Sequence, residues 1–184
     1  MSTTATAAPI AGTWNIDGSH SNVAFQAKHL GIATVRGAFT KFEGTLELGD
    51  DLSTSRAYGT VDVASVDTNE DARDEHLRSA DFFDAERFPQ ITFESTEIKS
   101  VDDDELEITG DLTIHGVTNP ITLTAELTGT EEDPWGNQRV ALEVEGKLDR
   151  SDYGMTFNQA LGSGNLLVSD KIKLSLDISA VKAA

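Results

Sequence analysis

Over most of its length this chain alternates apolar with polar residues, and a run of that kind can fold in few ways. Val23, Phe25 and Ala27 share one face of SNVAFQAK, Val61 and Val63 one face of GTVDVAS, and Ile91 and Phe93 one face of QITFES. Leu106, Ile108, Leu112 and Ile114 point one way from ELEITGDLTIHG while Glu107, Thr109, Asp111 and Thr113 point the other. The pattern continues through ITLTAELTG and RVALEVEGKL and closes with KIKLSLDIS. Side chains alternate sides along an extended backbone, so period two with one apolar face predicts half-buried strands. Gly49-Asp50-Asp51, Asp102-Asp103-Asp104, His115-Gly116 and Pro134-Trp135-Gly136-Asn137 supply turns between them. The expectation is an all-β fold: an antiparallel eight-stranded barrel with one wet face, a two-sheet sandwich being the competing arrangement.

One stretch breaks the period. Across residues 68–81, Ala72, Leu77, Ala80 and Phe83 recur at helical spacing beside His76, with Thr68 placed to cap and Glu70 and Asp71 suited to the positive end of a helix dipole. A short helix near one end of the barrel is therefore expected. It can close that end as a plug, or form a mouth, because Arg73, Arg78 and Arg87 gather here in an otherwise acidic chain.

That acidity excludes some functions. Asp and Glu number 32 against 14 Lys and Arg, a field that repels phosphate backbones and anionic membranes unless basic residues cluster locally, so no nucleic-acid partner is expected. Without cysteine there are no disulfides or thiolate sites. The four histidines, His20, His29, His76 and His115, fall at no HxH, HxxxH or HExxH spacing, so no metal site is predicted. His115 suits a tight hairpin. No GxSxG or SxxK motif marks a nucleophile, and no catalytic residue is assigned. Gly162-Ser163-Gly164-Asn165 reads as a flexible connection, since no helix pattern follows it. Residues 1–11 read as a mobile tail ahead of a single domain spanning 12–184. No stretch approaches a spanning helix, and no signal peptide is evident, so a cytoplasmic location is expected.

Seven of the eight Phe residues fall between residues 25 and 93. An eight-stranded barrel can be filled by side chains or can hold one small ligand, and sequence leaves both open.

The ordered stretches TWNIDGSHSNVAFQAKHLGIATVRGAF, SVDTNEDARDEHLRSADFFDAERFPQITFEST, GDLTIHGVTNPITL and DRSDYG with LVSDKIKLSLDI resemble the YceI-like, polyisoprenoid-binding proteins from Thr13 to about Ala180. The resemblance implies a lipocalin-like barrel, often a homodimer. Its interior would take up an isoprenoid quinone or a polyprenyl phosphate as carrier or store, with no other cofactor required and no turnover. Many relatives carry a secretion signal, which is not evident here. From apolar face and position we expect Phe25, Phe39, Phe42, Phe82, Phe83, Phe93, Met155 and Phe157 to meet the tail. Arg73 and His76 are expected at the head, with His29 and Arg36 as further candidates. The acidic surface favours a neutral quinone over a diphosphate. Two rival readings stand beside the carrier: a lipid-modifying enzyme using His29, His76 or His115 in the same cavity, and a filled barrel acting as a stress-related interaction module.

Overall fold

The computed structural model describes residues 10–184, so residues 1–9 of the expected tail lie outside the described residues. Ile10 is already half-buried against the core, and its carbonyl accepts the Trp14 indole N–H at 2.8 Å. The folded part thus includes Ile10, which the sequence had assigned to the tail.

Eleven strands and one α-helix follow: β1 (Gly12–Ile16), β2 (Asn22–His29), β3 (Ala33–Phe39), β4 (Phe42–Leu48), β5 (Arg56–Asp62), β6 (Val66–Asp67), α1 (Asp71–Arg78), β7 (Gln90–Ser100), β8 (Glu105–Ile114), β9 (Val117–Glu132), β10 (Gln138–Asp149) and β11 (Lys171–Lys182). They reduce to eight staves. β1 and β2 form one bent strand, since both lie along β11, at Trp14↔Lys182 and at Phe25↔Leu174. β3 and β4 form the next, pairing with β2 at Val23↔Phe39 and with β1 at Asn15↔Thr45. From there β5, β7, β8, β9, β10 and β11 follow in chain order, all antiparallel, and β11 closes on β1. Closure decides between the two arrangements: this is an up-and-down barrel, not a sandwich.

Register carries the alternation inward. Leu142, Val144 and Leu148 of β10 stand opposite Ile178, Leu176 and Ile172 of β11, and Phe25 of β2 stands opposite Leu174. The interior packs as two clusters. Trp14, Leu48, Ile98, Val140 and Ala180 form one end, and Phe39, Val63, Val66, Ile114, Tyr153 and Met155 the other.

The second end carries α1, which lies in the connection from β5 to β7. There β4, not β3, borders β5, and β3 takes β6 as its neighbour, at Phe39↔Val66, with the helix following from β6. The helix is shorter than the sequence predicted. Asn69 takes a left-handed φ of 65°, so helical geometry begins only at Asp71. Thr68 does not cap it: its backbone N–H and its hydroxyl both donate to Oδ1 of buried Asp74, at 2.8 and 2.5 Å. Of the predicted stripe, Ala72 and Ala80 are exposed. The residues turned inward are Leu77 and, from the turn after the helix, Phe82 and Phe83.

At the same end, the β8–β9 hairpin turns through His115 and Gly116, with φ of 55° and 73°, as the His-Gly pair predicted. Residues 162–165 are not a free connection. The Leu161 N–H donates to the Asn165 carbonyl, and Asn165 Nδ2 donates to the Leu30 carbonyl, tying this loop to the β2–β3 turn.

Candidate functional site

Between the two clusters the barrel encloses a cavity of about 280 Å³. It reaches from Ile16, Leu46 and Ile178 near the far end to Leu77, Phe83 and Val168 at the helix end. Such a volume lies near the lower bound of about 300 Å³ for small-molecule sites. A filled barrel, one of the three readings open to sequence, is not what forms.

The wall is apolar because the inward face of every stave is apolar. Phe25, Phe39, Phe42 and Phe93 reach it from strands, Phe82 and Phe83 from the turn after α1, and Met155 from the segment that joins β10 to β11. Phe157 does not line it. Its ring packs edge-on against Phe82 and His76, with centroids 5.3 and 5.2 Å apart, and so fastens the β10–β11 connection to the helix behind the wall. Most of the remaining wall is aliphatic, with Ile121, Leu123, Leu148, Ile172 and Leu174 among its members.

The four polar candidates are placed elsewhere. Arg73 donates from Nε to the Thr68 hydroxyl and from its terminal nitrogen to the Thr68 carbonyl, both at 2.7 Å. With Asp74 it makes a polar knot that binds the helix to β6. His76 Nε2 lies 2.8 Å from the Asp81 carboxylate. His29 ends β2, where it bridges to Val168, and Arg36 is exposed on the outer face of β3. None of the four lies on the cavity wall. Arg73 and His76 are engaged by Thr68 and Asp81 at the surface, whereas Arg36 is exposed and in no ion pair among the described residues.

The cation that does line the cavity is Arg150, only 3% exposed. Nε donates to the Ser169 carbonyl at 3.0 Å and one terminal nitrogen to the Met155 carbonyl at 2.9 Å. The other terminal nitrogen reaches the Val168 carbonyl and, at 3.4 Å, the Asp170 carboxylate. Burial draws its pKa below the ordinary arginine value, and Asp170 opposes that shift. Beside it, burial raises the phenol of Tyr153, whose carbonyl takes a hydrogen bond from His115 Nδ1 if that nitrogen carries the proton. A signal for Arg150 was present in the sequence. Continuing the inward positions Val144, Gly146 and Leu148 by two residues lands on it.

The arrangement can surround an extended apolar chain and offers it little polar contact. Among the described residues no cluster of three or more His, Asp or Glu is placed to hold a metal ion, and no helix is long and apolar enough to cross a membrane.

Comparison with known proteins agrees with this architecture. The YceI-like domain profile matches residues 14–180. Protein YceI of Escherichia coli O6:H1 is 44% identical over 149 residues, which cover 79% of this chain and 78% of that protein. The crystal structure of the Campylobacter jejuni YCEI protein superposes with a TM-score of 0.74 at 30% identity, covering 85% of this chain and 90% of that one. A polyisoprenoid binding domain from Saccharophagus degradans shares the fold at 14% identity, with a TM-score of 0.71 over 92% of this chain and 98% of that domain.

Proposed function

This chain belongs to the YceI-like family, and from that premise we propose that its barrel binds a long isoprenoid lipid, in the manner of a carrier or store rather than an enzyme. The observation that carries the reading is the continuous apolar wall running from Ile16 to Val168. The polyisoprenoid-binding description of the Saccharophagus degradans domain, which shares this fold, supports it.

The energetics suit a tail-driven ligand. Burying a methylene stabilises by roughly 0.8 kcal/mol, so each five-carbon isoprene unit contributes about 4 kcal/mol. A few units offset the cost of immobilising a flexible chain. Head-group contacts then add selectivity rather than affinity, and chains of similar length are poorly distinguished.

Within that reading a neutral head is favoured over a diphosphate. Arg150 is the cation on the wall among the described residues, and backbone carbonyls already take donors from all three of its nitrogens. A diphosphate would meet no uncommitted cation inside, whereas a quinone ring needs none. The histidines on which an enzyme reading rested, His29, His76 and His115, all lie off the wall, whose titratable side chains are Glu43, Tyr58 and Arg150.

Organic extraction of the purified, unheated protein followed by mass spectrometry is the direct test. A prenylated neutral lipid at near one per chain is expected. A clean extract, together with no uptake of quinone or prenyl phosphate by refolded protein, overturns the proposal. Phe25→Asp, which puts a carboxylate on the wall, should abolish uptake while the protein still folds. Unchanged uptake by that folded variant removes Phe25 from the site.

A further inference from the structure

We propose that the helix end of the barrel carries a docking surface for anionic lipid bilayers, built from the outer faces of β10, β11, β2 and β3 and the two loop tips beside them. The register places Lys147 opposite Lys173, Lys173 opposite Gln26, and Gln26 opposite Arg36, a row of outward positions crossing four adjacent strands. Lys28 and Lys171 flank that row toward the helix end. All five basic residues are exposed, and none is engaged in an ion pair among the described residues. Lys28 Nζ donates only to Thr34.

Five of the chain's 14 Lys and Arg thus gather on one face of a protein whose formal net charge is −18. Acidic groups stand beside this face, Asp67 next to β3 among them, but none forms an ion pair with the five. Asp149 stands opposite Lys171, Glu145 is one row further along, and Asp170 is held by Arg150.

Next to this face are two apolar tips. Ile32, in the β2–β3 turn, is 79% exposed, and Leu166, in the β10–β11 connection, is 43% exposed. The two loops are joined, the Leu30 N–H donating to the Leu167 carbonyl at 3.0 Å and Asn165 Nδ2 to the Leu30 carbonyl at 3.1 Å. Apolar tips beside unpaired cations are what an anionic bilayer rewards: the tips enter the acyl boundary while the cations meet the head groups. The opposite end lacks this chemistry. Its exposed apolar residues, Val101 and Trp135, sit beside Asp102, Asp103 and Asp104 and beside Glu131, Glu132 and Asp133. The helix end is acidic elsewhere, with Asp67, Glu70, Asp71, Glu75, Asp81 and Glu86 exposed, so the basic row and the two apolar tips, not that end as a whole, turn toward an anionic surface.

Docking this way brings the cavity to the bilayer. Leu166 and Val168 lie on one connection, and Val168 is part of the cavity wall. The surface itself does not depend on what the cavity holds, and vesicle binding reads it separately from lipid uptake.

The test is co-sedimentation of the full chain with vesicles of phosphatidylcholine alone and of phosphatidylcholine mixed with phosphatidylglycerol, at low and high salt. Binding to the mixed vesicles only, lost at high salt, is expected. Lys173→Glu and Lys28→Glu should each weaken it roughly tenfold or more. Ile32→Ser, on an exposed tip that leaves folding intact, should weaken it as well. Equal binding to both vesicle types, absent binding, or unaltered binding by all three variants overturns the proposal. So does a loss of dimer in sedimentation velocity on the same substitutions with no vesicle binding, which would assign the face to a second copy of this chain.

Discussion

At the scale of single residues, charge was the least legible part of the sequence. Arg73 and His76 drew attention as cations in an acidic chain, yet each is spent on a neighbour, Thr68 or Asp81. The arginine that faces inward was hidden among strand and turn residues. Arg150 joins the carbonyls of Met155, Val168 and Ser169 to the end of β10, so it holds the β10–β11 connection against the wall. Arg150→Met keeps the length and strands these carbonyls in a buried site, where each lost partner costs about 1–3 kcal/mol. We expect destabilisation of roughly 2–4 kcal/mol by urea unfolding, and faster amide exchange confined to residues 155–169. A second arginine acts at the surface. Arg139 bridges Asp17 and Asp133, both at 2.9 Å. Asp17 is held well below the ordinary aspartate range by the Ser19 hydroxyl, then by Arg139 and His20. At Asp133, partial desolvation works upward but is outweighed by donors from Asn137, Arg139 and Trp135, which bring it to about 2. Both shifts are downward, so their stabilisation is present above the unfolded value of 3.8 and is lost as pH falls through the folded values. Urea midpoints measured from pH 5 down to about pH 2 should fall, and the fall should be shallower in Asp17→Asn.

At the scale of elements, strands were readable and their interruptions were not. Period two showed the eight staves because each has one wet face. It could not show that the first two staves are each broken in the middle. The β1–β2 break rests on Asp17, which takes the Ser19 N–H and the Ser19 hydroxyl. The helix was legible as an element and misread at its start for a local reason: Thr68 spends its donors on Asp74 rather than on the helix N-terminus. That contact fixes α1 to β6 and so fixes Phe82 and Phe83 over the cavity. Asp74→Ala leaves the buried Thr68 donors without a partner. Stability should fall by roughly 2–4 kcal/mol. Amide exchange should rise in α1 and the turn after it while β8 to β10 stay protected, and exchange spread evenly over the barrel would show that the knot does not localise the helix.

At the scale of the whole molecule, the barrel was expected with a sandwich left open beside it, and the state of the interior was not foreseeable. Closure follows from eight amphipathic strands that need a partner at both edges. Whether the interior fills depends on side-chain volumes summed across all eight, which no single strand reveals. At Gly146, for example, a Cβ would stand 2.4 Å from Leu123 Cδ2, so the fit is tight there, while a cavity of about 280 Å³ persists along the axis. Left without contents, a cavity forfeits packing at about 24 cal/mol per Å³, which for this volume is on the order of 7 kcal/mol. That is comparable to the 5–15 kcal/mol net stability of a typical domain. A lipid bound in the barrel therefore supplies part of the core. Protein stripped of lipid by extraction and refolding should melt about 10 °C or more below protein reloaded with an isoprenoid quinone, since 1 kcal/mol moves the midpoint of a domain this size by about 2–4 °C. Calorimetry of the two preparations checks this. Coincident melting would mean that the walls close onto each other when the chain is alone, and that the fold does not depend on its ligand for packing.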